Sequence, residues 1–350
     1  MAQNLPPFFG INIGKDKIKI IQVKKEGEQK EKLIGIGSVP SSVSLVSNES
    51  EDGNTELATE ISRGAKVAGV DTKNCVISIP ELSVYSRLLT LPKVNENEVE
   101  ESIHYALKPL IPVPIESVNI TFLPVDEIKN ENGVLVNWYA VAAPKQLVDR
   151  YVKILEKAGL NLLAIETESL ALVRMVYFCH EIPQGRDVMI IDIGAETTNM
   201  IIARNSVVVF SQSVSTGSNA MTKVIAADFG ISESEAEKYK VTYGLDFQAG
   251  EGKIAKSIEP IVQIILGEIS RTLTYLRERI SGESVDSVYL TGGGSALKGL
   301  DIYMKEKLSL NVMTSNLLSH LDIDPKLNTK IGSSEGKEYN VALGLALKTN

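Results

Sequence analysis

The feature that most constrains this chain is an echo of itself. The segment Phe8-Phe9-Gly10-Ile11-Asn12-Ile13-Gly14-Lys15-Asp16-Lys17-Ile18-Lys19-Ile20-Ile21 returns, shifted by 180 positions, as Ile190-Ile191-Asp192-Ile193-Gly194-Ala195-Glu196-Thr197-Thr198-Asn199-Met200-Ile201. Each copy reads as a β-branched strand, a polar residue, a turn centred on glycine, and a second strand with alternating apolar positions, which is the pattern of a hairpin. An offset of about half of the 350 residues predicts two related lobes, each opening on the same hairpin. The competing explanation is that two such turns arose independently in a chain rich in hairpins. The length suits either two modest cores or one large one.

Between the copies the pattern changes. Glu96 to Leu107 reads as an amphipathic helix with Val99, Ile103 and Leu107 on one face, closed by the proline-rich Lys108 to Pro114. Val118–Leu123 and Val134–Ala142 read as strands flanking an exposed hairpin tip at Asp126 to Gly133. Pro144 to Gly159 is a second helix, with Leu147, Tyr151, Leu155 and Ala158 turned inward. Residues 81–162 therefore read as a small α+β insertion, and Asn48 to Thr55 as a surface loop. The second half predicts helices at Ser218 to Phe229, after the Ser232-Glu235 capping box, and at Ser257 to Ile280, with Pro260 in its first turn. A strand at Ser287–Leu290, a triple-glycine turn and a helix at Ser295–Leu308 follow.

Composition removes several functions. With 36 Lys+Arg against 44 Asp+Glu and a net charge of -8, non-specific nucleic-acid binding is disfavoured, because a phosphate backbone must meet a basic face. Cys75 and Cys179 lie in no CxxC spacing and read as buried, reduced thiols. The N-terminus has no signal-peptide pattern and no segment is apolar for long enough to span a bilayer, so a membrane role is expected only through a partner. His104, His180 and His320 have no triad-like partners in the sequence, and Trp138 reads as a packing residue of the insertion.

Chemistry concentrates at three glycine turns. Asn12-Ile13-Gly14-Lys15 and Asp192-Ile193-Gly194-Ala195-Glu196-Thr197-Thr198 each offer backbone amides at a tight turn, which suits phosphate oxygens, with Thr197 and Thr198 adding hydroxyls. Asp192, ending its strand, suits a Mg2+-bound water. Thr291-Gly292-Gly293-Gly294-Ser295-Ala296-Leu297 passes from strand to predicted helix and leaves room for a flat base or ribose. It is neither a Walker A loop nor a Rossmann fingerprint.

The order of these turns resembles that of the actin-like ATPase superfamily. Further segments narrow the resemblance to the PilM family of type IV pilus assembly proteins: Leu91-Pro92 with Glu98 to Ile103, Leu110 to Val118, Ala142 to Lys145, Ala158-Gly159-Leu160 before Ile165 to Leu172, and Val341 to Leu347. The resemblance implies an α/β, actin-like two-lobed fold, a duplicated RNase H-like unit with a small α+β insertion subdomain in the first lobe. The first lobe would comprise 1–80, completed by 163–185 and 335–350; the insertion 81–162; the second lobe 186–334. It implies ATP or ADP with Mg2+ between the lobes. Asn12, Gly14, Lys15, Gly194, Glu196, Thr197 and Thr198 would serve the phosphates, and Asp192 the metal. Gly217 and Asn219 would close over the nucleotide. Glu237 and Lys240 would touch ribose and adenine, with Gly292, Gly293, Gly294 and Leu297 as the adenosine turn. Glu168, opening the connecting helix, would position a hydrolytic water.

At three of these positions a plainer reading stands beside the implied role. Glu168, like Glu166, has the place of an ordinary helix N-terminal carboxylate, Lys240 that of a surface lysine, and Lys15 that of a solvated turn lysine. One departure matters more: the family's first hairpin carries an aspartate where this chain has Asn12. An amide adds no charge, so Mg2+ is expected to be held differently and hydrolysis to be slow at most.

The resemblance further implies a cytoplasmic scaffold at the inner face of the membrane, docking the cytoplasmic N-terminal segment of a PilN-type inner-membrane protein, with motor or platform proteins and a homo-oligomer as further partners. Two alternatives belong to the same superfamily. A small-molecule kinase needs an aspartate base, for which Asp149 and Asp187 are the candidates. An FtsA-like polymerising protein carries an amphipathic tail, whereas this sequence stops at Lys348-Thr349-Asn350 directly after its last helix.

Overall fold

The computed structural model describes residues 5–24, 31–131, 133–279, 285–315, 320–331 and 336–349. Two of its sheets carry the echo. In the first, β1 (Phe9–Ile13) lies between antiparallel β2 (Lys17–Lys24) and parallel β4 (Asn74–Ile79); β3 (Lys32–Pro40) and β8 (Asn161–Thr167) extend the two sides. In the second, β9 (Val188–Ile193) lies between antiparallel β10 (Thr198–Arg204) and parallel β12 (Ser287–Thr291), with β11 (Val207–Val214) and β13 (Asn311–Thr314) outside them. The order β3-β2-β1-β4-β8 thus recurs as β11-β10-β9-β12-β13, and β14 (Asp322–Ile323) is added beyond β3.

The repeat extends to single hydrogen bonds. Asn12 faces Lys19 across its hairpin, and Asp192 faces Asn199. The Gly14 amide donates to the Lys17 carbonyl at 3.0 Å, and the Gly194 amide to the Thr197 carbonyl at 2.8 Å. β1 and β9 are buried along their whole length, which explains why they are apolar apart from Asn12 and Asp192, whose side chains are hydrogen-bonded.

Helices α1 (Val43–Ser47), α2 (Glu51–Ala68) and α4 (Lys145–Lys157) belong with the first sheet, where Val46, Leu57, Ile61, Tyr151 and Leu155 share one apolar cluster. Helices α6 (Ser218–Phe229), α7 (Glu233–Tyr243), α8 (Lys253–Arg279) and α9 (Leu300–Leu308) surround the second, and α10 (Pro325–Asn328) follows β14. Two helices join the lobes. α5 (Glu168–Cys179) leaves β8 of the first sheet and buries Leu172, Met175 and Val176 in the large cluster that joins residues of both sheets. α11 (Asn340–Ala346) lies against α5 so closely that a Cβ on Gly344 would meet the Ala171 carbonyl oxygen at 1.9 Å. A third sheet, β5 (Tyr85–Pro92), β7 (Gly133–Pro144) and β6 (Val118–Asn130) in that order, packs with α3 (Glu96–Leu107) around Leu89, Ile103, Leu107 and Ala140.

Several sequence expectations change. The loop drawn at 48–55 is largely helix: Ser50 caps α2 by accepting from the Gly53 amide at 3.1 Å, and Glu51 and Asp52 occupy the first turn, where the helix dipole favours acids. The tip drawn at Asp126 to Gly133 is mostly ladder, since β6 and β7 stay paired out to Asn130 and Gly133. The long helix begins at Lys253, so Pro260 lies inside it rather than in its first turn; its expected end, Ile280, lies outside the described residues. The helix drawn from Ser295 begins at Leu300, because Gly299 takes a left-handed conformation (φ 78°) and Gly293–Ala296 completes only a 3₁₀ turn. Finally, α4, drawn with the insertion, has its buried residues in the first lobe's cluster, not in that of the three-stranded sheet.

Candidate functional site

A cleft of ≈ 280 Å³ opens where the two equivalent turns approach the start of α5. Asn12, Gly14 and Lys15 line it from the first hairpin; Asp192, Gly194, Glu196 and Thr197 line it from the second. Glu168 enters from α5, and Gly292 and Gly293 from the turn after β12. Among the described residues, the backbone amides of Lys15 and Asp16, and of Ala195 and Glu196, have no protein partner. Two turns with unclaimed donors on one cleft form a setting for an oxyanion.

The acidic groups differ in their surroundings. Asp192 is buried and accepts from Thr291 Oγ1 at 2.8 Å; burial raises its pKa, against the pull of Thr291 and the Lys19 ammonium. Gly292, at φ 81°, is required beside it: a Cβ there would lie 2.7 Å from Asp192 Oδ1. Glu168 is held by one amide from each hairpin, Asn12 Nδ2 at 3.2 Å and Asn199 Nδ2 at 3.1 Å. Burial, reinforced by the charges of Asp192 and Glu81, pushes its pKa up to about 7, a value suited to moving a proton at neutral pH. Glu166, two residues earlier, does different work. Arg174 grips it with two bonds of 2.9 Å and Lys348 adds a third, which ties β8 to α5 and to the residues after α11.

The remaining candidates stand behind the lining. Thr198 Oγ1 donates to the Thr216 carbonyl at 2.7 Å, while Ser218 and Asn219 donate their amides to Gly194 and Ala195, so the Gly217 turn braces the second hairpin. Asn219 Nδ2 also reaches Glu196 at 2.7 Å. Lys240 is buried; it bonds Glu237 at 2.7 Å and Thr222 at 2.8 Å, and reaches the Ser218 carbonyl at 3.2 Å. The Glu237–Lys240 pair therefore secures the start of α6 and does not line the cleft. Gly294 packs on Ile193, and Leu297 is buried and donates its amide to the Gly294 carbonyl at 3.2 Å.

Sequence reasoning passed over Lys19, Asn199 and Glu81, all of which line the cleft. The first two had a signal: they are one position of the echo, each facing the polar residue that ends the preceding strand. Glu81 had none, since its place depends on how the insertion leaves β4. Among the described residues no helix is long and apolar enough to cross a membrane, and Cys75 and Cys179 are buried and unpaired.

Comparison with known proteins agrees with this architecture. A family model described as type IV pilus assembly protein PilM matches residues 10–350. Among solved structures, a chain of a PilM-PilN type IV pilus biogenesis complex superposes with a TM-score of 0.82 at 27% identity, covering 98% of both chains. MreB5 of Spiroplasma citri bound to AMPPNP shares the fold at a TM-score of 0.53 and 13% identity, over 97% of this chain and 94% of that one. Cell division protein FtsA of Streptococcus pneumoniae (strain D39 / NCTC 7466) is 24% identical over 78% of this chain, a match that takes in 63% of its own length. FtsA of Buchnera aphidicola subsp. Schizaphis graminum is 22% identical over 97% of this chain and 93% of its own length. With its duplicated sheets joined by α5 and α11, this chain has the two-lobed actin-like fold and belongs to the PilM family of type IV pilus assembly proteins.

Proposed function

We propose that the cleft binds ATP or ADP with Mg2+ beside Asp192, and that the chain is a nucleotide-binding scaffold of the type IV pilus machine with at most slow hydrolysis. The observation that carries this reading is the pair of turns with unclaimed amides facing one cleft. Lys15 and Lys19 add positive charge on one side, and Asp192 offers a carboxylate on the other. The metal would supply charge neutralisation at the phosphates; Glu168, held by both hairpins, is the group able to take a proton from a water. Asn12 spends its amide on Ser78 and Glu168, so it supports the carboxylate instead of adding a second charge for the metal.

On this reading the first lobe is 1–80 with α4 and β8, completed by the chain to 185 and again from β14 onward; the second runs from 186 to β13; and the insertion is the three-stranded sheet with α3. The extended cytoplasmic N-terminus of a PilN-type membrane protein docks between the first lobe and the insertion, and brings the chain to the cytoplasmic face of the membrane. The likeness to a chain solved in a PilM-PilN complex supports that partner. Motor or platform proteins, or further copies of the chain, would join through other faces. Two titrations of the purified protein test the reading, one with fluorescent ADP in the presence and absence of Mg2+, one with a peptide copying a PilN-type N-terminus. Saturable binding of each is expected; no response to nucleotide removes the cleft assignment, and none to peptide removes the partner.

A further inference from the structure

The insertion is covalently part of the first lobe, yet it is seated on the second. Its strands β5, β6 and β7 all lie against β11, and Val125, Tyr139 and Val141 join the large apolar cluster that holds the strands of the second sheet. Arg204 of β10, gripping Asp187 by two bonds, extends Nη1 to Asp126 of β6 at 2.6 Å. At the root of the insertion, Ser211 of β11 donates to the Glu81 carboxylate. Ser86 lies 2.9 Å and the Tyr139 hydroxyl 3.2 Å from the same Ser211 oxygen.

Glu81 is therefore a junction of three parts. It is only 6% exposed, lies on the cleft lining, and its Oε1 faces Ser211 on the second lobe. Ser169, the residue after Glu168, lies beside it and favours its charged form. Its other oxygen, Oε2, is sealed from solvent with no partner among the described residues. A buried carboxyl with one oxygen unsatisfied is costly, so the arrangement persists only while the surrounding contacts hold it. Burial raises its pKa, against the pull of Ser211 and Ser169. The titratable groups facing it are Glu168 from α5 and Tyr139 from β7.

We propose that Glu81 is a positioning residue that links occupancy of the cleft to the seating of the insertion on the second lobe. The link rests on the nucleotide reading above. A ligand that shifts the first turn of α5 moves Ser169 together with Glu168; Glu81 follows, and through Ser211 the seat of β5–β7 on β11 changes. The groove between the first lobe and the insertion then widens or narrows with the state of the cleft.

Hydrogen exchange across residues 85–144, measured with and without saturating Mg-ADP and Mg-AMPPNP, tests this. In the unmodified protein, nucleotide changes protection in β5 and β7 by at least threefold. Glu81→Ala removes that ligand-dependent change. Glu81→Gln, whose amide oxygen still accepts from Ser211, keeps it. Ser211→Ala removes the donor from the opposite side and uncouples in the same way, which covers the case of an alanine at Glu81 that fails to fold. Nucleotide binding with no change in the insertion overturns the link alone, as does an unaltered response in Glu81→Ala or Ser211→Ala. Absence of nucleotide binding in the unmodified protein overturns both this link and the function it rests on.

Discussion

The two hairpin turns of the cleft share one backbone and carry opposite chemistry. Around the first stand Lys15 and Lys19 with Asn12, and Asp16, which holds the Lys19 ammonium at 3.1 Å; around the second stand Asp192 and Glu196 with Asn199. The register and the closing amide bond repeat, so the difference lies wholly in side chains. Backbone amides that receive an oxyanion are indifferent to side-chain identity, which leaves the side chains of the two turns free to specialise. On the function proposed above, one turn would draw in negative charge and the other would make room for a cation. Between them, Asn12 and Asn199 grip Glu168 from the two sides.

That division of labour can be broken experimentally. Asp192→Ala should cause the largest change, weakening Mg-nucleotide binding about 30-fold, or ~2 kcal/mol. The loss should vanish in EDTA, and thermal unfolding should show a folded protein; an equal loss without Mg2+ would mean the second turn does not serve the cation. Lys19→Met comes next, with affinity falling about tenfold whether or not Mg2+ is present. A strict dependence on Mg2+ there would erase the contrast between the turns.

The smallest effect concerns the shared residue. The pKa of Glu168 is about 7 in the fold against 4.5 for a free glutamate, so the folded state prefers the protonated form. Its contribution to stability is full below about pH 4.5 and is lost as pH rises toward 7. Without ligand, Glu168→Gln should therefore match the unmodified protein at pH 4 and exceed it at pH 8 by about 1 kcal/mol, discounted because the cleft is open to water, or roughly 2 °C in Tm. A difference of opposite sign in a pH series of melting curves would show that the two amides stabilise the ionised carboxylate.

Much of the fold was legible because it is written twice. The hairpins at Asn12 and Asp192 could be aligned by eye, and α3 and α6 begin and end where their capping and apolar patterns say. The misreadings have local causes. Asn-Glu-Ser-Glu-Asp-Gly looks like a polar loop until Ser50 is taken as a cap, and the pattern from Ser295 looks helical until Gly299 is given its left-handed turn. The lining of the cleft was legible where it sits on the repeated turns. Glu237 and Lys240 have the spacing of ligand contacts, but pairing with Thr222 turns them toward α6, and no spacing reports that. Glu81 is set by a contact across the lobes, with Ser211 130 positions away.

The packing of Gly344 on Ala171 also bears on how the chain is made. α11 supplies Val341, Ala342, Leu343 and Leu345 to the core and lies against β1, the strand that carries Asn12. Those contacts join residues more than 300 positions apart, so they form only after nearly all of these 350 residues have been synthesised. A nascent chain halted near Leu308 would hold both hairpins and α5 but leave the seat of α11 bare. β1, translated long before α11, would thus be enclosed late, and a half-made protein would have no finished cleft.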